Sequence, residues 1–220
     1  MENQYRDRLG SLRAIDDMVG TIFDALAESD ELDNTIVIFT SDNGYFYGEH
    51  HLPQKNFAYE ESIRVPLLFR PAAGAVPVVI DRFVINNDLA PTITELAGAT
   101  PGIVMDGRSF LPLLDDPSAP WRSRFLVTSL RPQGTPLKTF KIPAFSAVRT
   151  SSEDIESPNR LFVLWQDGLD SIEFYDLTND PYQVESAHDD PFYEAERQLL
   201  DLSRIGLLSC IGQACRDLED

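Results

Sequence analysis

Apolar and polar positions follow two different rhythms along this chain. Over residues 11–28, Leu12, Ile15, Val19, Ile22 and Leu26 recur at steps of three and four, while Arg13, Asp17, Asp24 and Glu28 fall off that line. This is the spacing of an amphipathic helix whose stripe is expected to pack on a sheet. Asp16 and Asp17 are adjacent acids on its polar side and read as solvated charges rather than a metal pair. Beyond Leu32-Asp33-Asn34 the rhythm changes. Residues 35–40 and 65–69 are short β-branched and apolar runs that read as buried strands. The first completes a helix-to-strand step of the kind that builds a parallel sheet.

Residues 71–77 form a Pro/Gly/Ala connector, and residues 78–85 are expected to supply one or two short strands. Asn87 or Asp88 is the expected N-cap of a helix through Ala97, with Pro91 in its first turn, Gly98 as its stop and Leu89, Ile93 and Leu96 on its buried side. Asp115-Asp116-Pro117-Ser118-Ala119-Pro120 breaks the pattern. Strand candidates follow at residues 125–128, 145–149, 161–165 and 172–175, and a final helix is expected over 192–202 with Ala195, Leu199 and Leu202 inward. The order of elements predicts an α/β region over residues 1–115, then a small α+β subdomain with an antiparallel sheet over 116–220.

Candidate chemistry lies in the polar stretch between the first two strands. Ligands of open α/β sheets bind beyond the carboxyl ends of strands, and Asp42-Asn43 follow such an end directly. A carboxylate and an amide oxygen are hard donors suited to Ca²⁺ or Mg²⁺. Asp-Asn-Gly is also a type I′ hairpin turn, but residues 44–54 contain two glycines, a proline and no sustained alternation for a partner strand. Lys55, met alone, reads as a surface charge. His50 and His51 read equally well as hydrogen-bonded loop side chains and as site residues.

Three strings in this stretch change that balance: Ser41-Asp42-Asn43-Gly44, then GEHHLPQK ending at Lys55, then YEESIRVPL from Tyr59. In order and spacing they resemble the second half of the sulfatases of the alkaline phosphatase superfamily, those acting on sulfated sugars above all. The likeness continues through NNDLAPTITELAG, DGRSFLPLL, FSAVRT, FYDLTNDPYQ and the terminal C-x4-C, nearly the whole chain. It implies the C-terminal part of an alkaline-phosphatase-like mixed sheet flanked by helices. It also implies that Asp42 and Asn43 ligate one divalent cation, Ca²⁺ ahead of Mg²⁺, and that Lys55 contacts sulfate, with His50 or His51 near enough to assist the leaving group or read the sugar. Such enzymes carry a Cys or Ser in a C/S-x-P/A-x-R setting that becomes formylglycine. That residue is expected in an N-terminal half, together with further aspartates, and is read as missing here, so the chain alone is expected to be inactive. Glu60, Glu61 and Arg64 read as loop-anchoring ion pairs.

Composition narrows the partners. The 220 residues are 43% hydrophobic, enough for one large or two small cores, and the formal net charge is −18. That charge argues against a nucleic-acid surface. A site for anionic esters must then be made locally positive by its metal, Lys55 and Arg64. No apolar run approaches the roughly twenty residues needed to cross a bilayer, and the first residues carry no signal-peptide pattern. Cys210 and Cys215 are the only cysteines. They make a poor zinc site, and a short disulfide stands against a catalytic thiol. A similar C-terminal pair in sequences of the N-acetylglucosamine-6-sulfatase type favours the disulfide, and with it a periplasmic or secreted parent enzyme. The expected function is sulfuric-ester hydrolysis on a sulfated carbohydrate or aryl sulfate, shared with the missing N-terminal half. The alternatives are a non-catalytic divalent-ion or glycan-binding remnant, and a related phosphatase or phosphonate hydrolase.

Overall fold

The computed structural model describes residues 2–74, 76–129 and 142–220. They divide into two units, Met1–Val78 and Val79–Asp220.

The first unit opens with α1, Glu2–Glu28, nine residues longer at its start than the apolar stripe suggests. The stripe does not pack on a sheet among the described residues: Leu12 is 53% and Ile22 47% exposed, and only Val19, Phe23 and Leu26 are partly covered. Asp16 and Asp17 are exposed, as solvated acids should be. A turn at Leu32–Asn34 leads into β1, Val37–Thr40; β2, Phe46–Tyr47, and β3, Pro53–Gln54, form a small ladder; α2, Glu60–Ile63, precedes β4, Leu67–Arg70.

β1 pairs with β4 antiparallel, from Val37 opposite Arg70 to Thr40 opposite Leu67. This corrects the parallel, buried reading of these two runs. The strands are joined by the site stretch folding back rather than by a crossover helix, and the cross-strand pair Phe39 and Leu68 is 39% and 59% exposed. Arg70 locks the ladder to the preceding turn, donating to the Leu32 carbonyl at 2.9 Å and to Asp33 at 3.2 Å. The buried centre of this unit is instead inside the site stretch, where Phe46, Phe57, Ala58 and Tyr59 are all under a tenth exposed.

No strand forms over residues 78–85, contrary to expectation: Val78 and Val79 are exposed and make no ladder. A turn at Asn86–Asp88 enters α3, Leu89–Leu96, which stops at Gly98 with φ +60°. Its inward face is not Leu89, Ile93 and Leu96; Ile93 is 52% exposed, whereas Asp88 and Thr92 are fully buried. The polar residues face inward because each is saturated. Asp88 accepts from the Ile85 and Arg108 amides, both at 2.9 Å, and the Thr92 hydroxyl bonds the Asp88 carbonyl at 2.7 Å while accepting from the Phe110 amide at 3.1 Å.

After α4, Leu111–Asp115, come β5, Arg124–Ser129, β6, Ala144–Thr150, β7, Arg160–Gln166, and β8, Ile172–Asp176. They form the expected antiparallel meander in the order β5-β6-β7-β8. Helix α5, Glu194–Ser209, covers one face, burying Leu200 and Leu207 against Val148, Phe162 and Phe174. Leu202, expected inward, is 68% exposed. The true inward row is Leu200, Arg204 and Leu207. The arginine hid it, since Arg204 is buried only because it bonds Ser146 Oγ at 3.0 Å and Asp201 Oδ1 at 2.6 Å.

Helix α6, Gln213–Glu219, closes the unit. A Cys210–Cys215 disulfide joins the end of α5 to α6. Its loop is short, so it should contribute only about 2–3 kcal/mol by loop-entropy estimates. Mass spectrometry of the unreduced protein should find the bond, and two titratable thiols after oxidative refolding would refute it. Among the described residues no helix is long and apolar enough to cross a membrane.

α6 also completes a buried charge cluster. The fully buried Arg122 side chain donates through Nη2 to Asp88 Oδ1 and through Nε to Glu219 Oε2, each at 2.8 Å, and Nη1 meets the second Asp88 oxygen. Burial pulls the Arg122 guanidinium down, but hydrogen bonds and charge from Asp88 and Glu219 more than reverse this and hold it above its ordinary value. For Glu219 burial wins over Arg122 and Arg108, and its carboxyl sits above the usual range.

Candidate functional site

The site stretch is a loop from Ser41 to Pro66 whose ends are fixed by the β1–β4 ladder and whose middle is pinned to α2. Gly44 makes that pinning possible. Its amide donates to the Ser62 carbonyl at 2.9 Å, and a Cβ at this position would lie 2.0 Å from the Glu61 carbonyl oxygen, so no other residue fits without moving backbone. Asp42 and Asn43 are therefore presented at the end of β1 by a turn held from behind. It is not a two-residue hairpin.

Lys55 reaches the same point from the other side of the loop. Its Nζ donates to Asn43 Oδ1 at 2.6 Å and lies 3.7 Å from Asp42 Oδ2. Asn43 Nδ2 is taken by the Gly44 carbonyl at 2.7 Å, which turns the amide oxygen toward the lysine. Two oxygens from neighbouring residues thus converge on one positive charge. A carboxylate that is mostly solvent-exposed and an oriented amide oxygen are hard donors of the kind that could hold a divalent cation beside the lysine. Among the described residues no cluster of three or more His, Cys, Asp or Glu side chains is available for a metal, so Asp42 and Asn43 would supply only part of a shell.

His50 is drawn elsewhere. It sits in a turn at Glu49–His51 with φ +52° and ψ +20°, and His51 also has positive φ. The His50 ring stacks on Tyr59, centroids 4.2 Å apart and 10° from parallel, with Phe46 edge-on at 5.9 Å. Its Nε2 faces Glu61 Oε2 at 3.3 Å. The structure therefore brings Asp42, Asn43 and Lys55 into one cluster and gives His50 an aromatic and carboxylate niche of its own.

Sequence reasoning missed the aromatic side of this loop. Tyr45 and Tyr47 are tilted together at 5.3 Å, the Arg8 guanidinium lies 3.4 Å from the Tyr45 ring centroid, and Tyr5 meets Tyr47 edge-on at 5.2 Å. The N-terminal turns of α1 are tied to the loop this way. Tyr45-Phe46-Tyr47 was visible as an aromatic run, but nothing in its spacing names Arg8 as its partner.

It also passed over one string that satisfies the bare C/S-x-P/A-x-R pattern: Ser118-Ala119-Pro120-Trp121-Arg122. The structure gives both of its ends other work. Ser118 bonds Asp116 Oδ1 through its amide at 2.9 Å and its hydroxyl at 2.6 Å, an exposed turn. Arg122 is the buried arginine between Asp88 and Glu219. An arginine committed to a core ion cluster cannot also serve a reactive side chain in an exposed turn.

The sulfatase family model matches residues 1–99. The N-acetylglucosamine-6-sulfatase of Capra hircus is 32% identical over 98% of this chain and 42% of its own length. The N-acetylglucosamine-6-O-sulfatase of Bacteroides thetaiotaomicron is 30% identical over 90% of this chain and 35% of its own. A multifunctional alkaline phosphatase superfamily protein of Trinickia caryophylli is 33% identical over 84% and 36%. The chain thus spans about two fifths of these relatives. The fold is shared with a structure solved in complex with D-glucosamine-2-N,6-O-disulfate, at TM-score 0.76 and 24% identity, covering 94% of this chain and 40% of that one. It is shared also with the phosphonate monoester hydrolase of Agrobacterium radiobacter, at TM-score 0.71 and 24% identity over 89% and 39%.

Proposed function

We propose that this chain, which belongs to the sulfatase family of the alkaline phosphatase superfamily, supplies the lysine-bearing wall of a sulfuric-ester hydrolase site that acts on a sulfated sugar. The observation that carries this reading is the convergence of Asp42, Asn43 and Lys55 within 3.7 Å at the end of a strand. A sulfate ester is an anion that gains charge on its oxygens as the ester bond breaks, and fixed cations at that point stabilise the change. Lys55 is such a cation, its ammonium held by the Asn43 amide oxygen. Asp42 and Asn43 would hold a divalent cation beside it, Ca²⁺ ahead of Mg²⁺ by their donor types, which when bound adds charge neutralisation at the same oxygens. The nucleophile and the remaining ligands are expected from the part of the relatives that this chain does not span.

Two relatives named for N-acetylglucosamine-6-sulfate chemistry support a sulfated amino sugar as substrate. The Cys210–Cys215 bond and an extracellular sulfatase relative, 42% identical over 108 residues in Drosophila melanogaster, support an oxidising, exported setting. A phosphonate or phosphate monoester is the second reading, favoured by the fold shared with phosphonate monoester hydrolases.

In a full-length enzyme carrying this stretch, Asp42→Ala should lower Ca²⁺ affinity and hydrolytic activity together, because a charged ligand is lost. Calorimetry with Ca²⁺ and Mg²⁺ decides it, and unchanged affinity would remove Asp42 from the ligand set. Assay of a sulfated glucosamine against a phenyl phosphonate separates the two substrate readings.

A further inference from the structure

Every arm of the site stretch returns to α2. The Ser62 carbonyl takes the Gly44 amide at 2.9 Å, next to Asn43. The buried Ser62 hydroxyl oxygen takes the Asn56 and Phe57 amides at 3.1 and 3.3 Å, next to Lys55. The third arm is His50, and its contact is of a different kind. Glu61 offers it a carboxylate rather than a backbone group, with both side chains largely covered, His50 13% and Glu61 26% exposed.

A carboxylate beside one nitrogen of a neutral imidazole selects the tautomer that carries its proton on that nitrogen. Here the nitrogen is Nε2. The stack on Tyr59 and the edge of Phe46 restrict ring rotation, so the two nitrogens cannot readily exchange places. Nδ1 makes no hydrogen bond to any described residue and is left as the ring's open polar atom. A loop-anchoring ion pair would need only the charge of Glu61 and would be indifferent to which nitrogen stays open.

We propose that Glu61 is a positioning residue that fixes the His50 imidazole in its Nε2–H form, so that Nδ1 is the nitrogen this loop presents to a bound ester. The inference rests on the reading of this loop as an ester-hydrolase site, but its central claim is testable without turnover. His50 is one of three histidines, so His51→Gln and His188→Gln assign its resonances in ¹⁵N–¹H multiple-bond NMR spectra of the 220-residue chain. Above the imidazole titration range, His50 is expected almost entirely as the Nε2–H tautomer, while exposed His51 shows a mixture. Glu61→Leu should lose the bias and bring His50 to the His51 pattern; Glu61→Gln should keep it, the amide oxygen taking the place of the carboxylate. A wild-type His50 already showing the mixed pattern would overturn the inference with no variant needed, and so would a Glu61→Leu chain whose His50 pattern is unchanged. Loss of sulfatase activity as a hypothesis, through unchanged Ca²⁺ affinity in Asp42→Ala or absence of any ester hydrolysis in the full-length enzyme, would leave the tautomer result intact and so is distinguishable from failure of this one.

Discussion

Incubated with 4-nitrocatechol sulfate or a 6-sulfated glucosamine, with or without Ca²⁺, the 220-residue chain alone is expected to release no sulfate. On the function proposed above, Lys55, Asp42 and Asn43, in contact at 2.6 and 3.7 Å, would bind, orient and neutralise. None of the three is a nucleophile for sulfur. Losing a covalent nucleophile costs on the order of 10⁶ in rate in a serine protease, far more than positioning groups recover. Ser118 is the single residue that matches the pattern of a modifiable one. Its hydroxyl is bound to Asp116 and the arginine of its string is in the core, so peptide mass spectrometry should find it as unmodified serine. The same stretch, joined to the sequence that its relatives carry beyond it, should hydrolyse these esters and lose most of that activity in Lys55→Ala. Metal-dependent turnover by the isolated chain that disappears in Lys55→Ala would mean that these residues hold a nucleophile of their own, and an altered mass at Ser118 would say which.

The parts of this fold legible in the sequence are those where one side of an element is apolar for a local reason. The four-strand meander is such a case: β6 and β7 are short β-branched and aromatic runs bounded by turn residues, and all four strands lie where periodicity put them. The misread faces have a common cause. On α3 and α5 the residues facing inward include Asp88, Thr92 and Arg204, polar side chains whose burial depends on partners far away in sequence. A hydrophobic pattern cannot see those partners. The stripe on α1 fails for the opposite reason: the pattern is correct for a helix that covers something, and among the described residues Leu12, Ile15 and Ile22 are left exposed and only its C-terminal part is partly covered. In the site, Asp42, Asn43 and Lys55 were legible through the string's resemblance to the sulfatases; read from its residues alone, Lys55 is a surface charge and its approach to Asn43 is not visible. The dependence of all three arms on Glu61 and Ser62 was not legible, since no spacing in the sequence pairs Gly44 with the Ser62 carbonyl, Asn56 and Phe57 with the Ser62 hydroxyl, or His50 with the Glu61 carboxylate.

The second large effect is expected in the core. Arg122→Met should destabilise the protein by about 3–5 kcal/mol, the range for stranding a buried charge by removing its partner, read as a fall in the denaturant midpoint. Two carboxylates then lose their common cation: Asp88, fully buried, and Glu219, 8% exposed at its side chain. A surface pair makes the contrast. Arg70 and Asp33 are also an ion pair, at 3.2 Å, but Asp33 is 80% exposed, and Asp33→Asn should cost less than about 1 kcal/mol. The pH dependence follows from direction alone. Burial already raises Glu219 above its ordinary value, and Arg122 is first among the groups holding it down; without Arg122 it rises further. A folded-state carboxyl with a raised value binds more protons than the unfolded chain, so folding is favoured as pH falls through that raised value toward the ordinary one. The penalty of Arg122→Met should therefore be largest at neutral pH and shrink on acidification while still above the ordinary glutamate range, whereas the cost of breaking an ordinary ion pair shrinks only as pH falls below that range. A penalty that stays constant from neutral pH to the ordinary glutamate range would mean that lost packing, and not stranded charge, sets the cost.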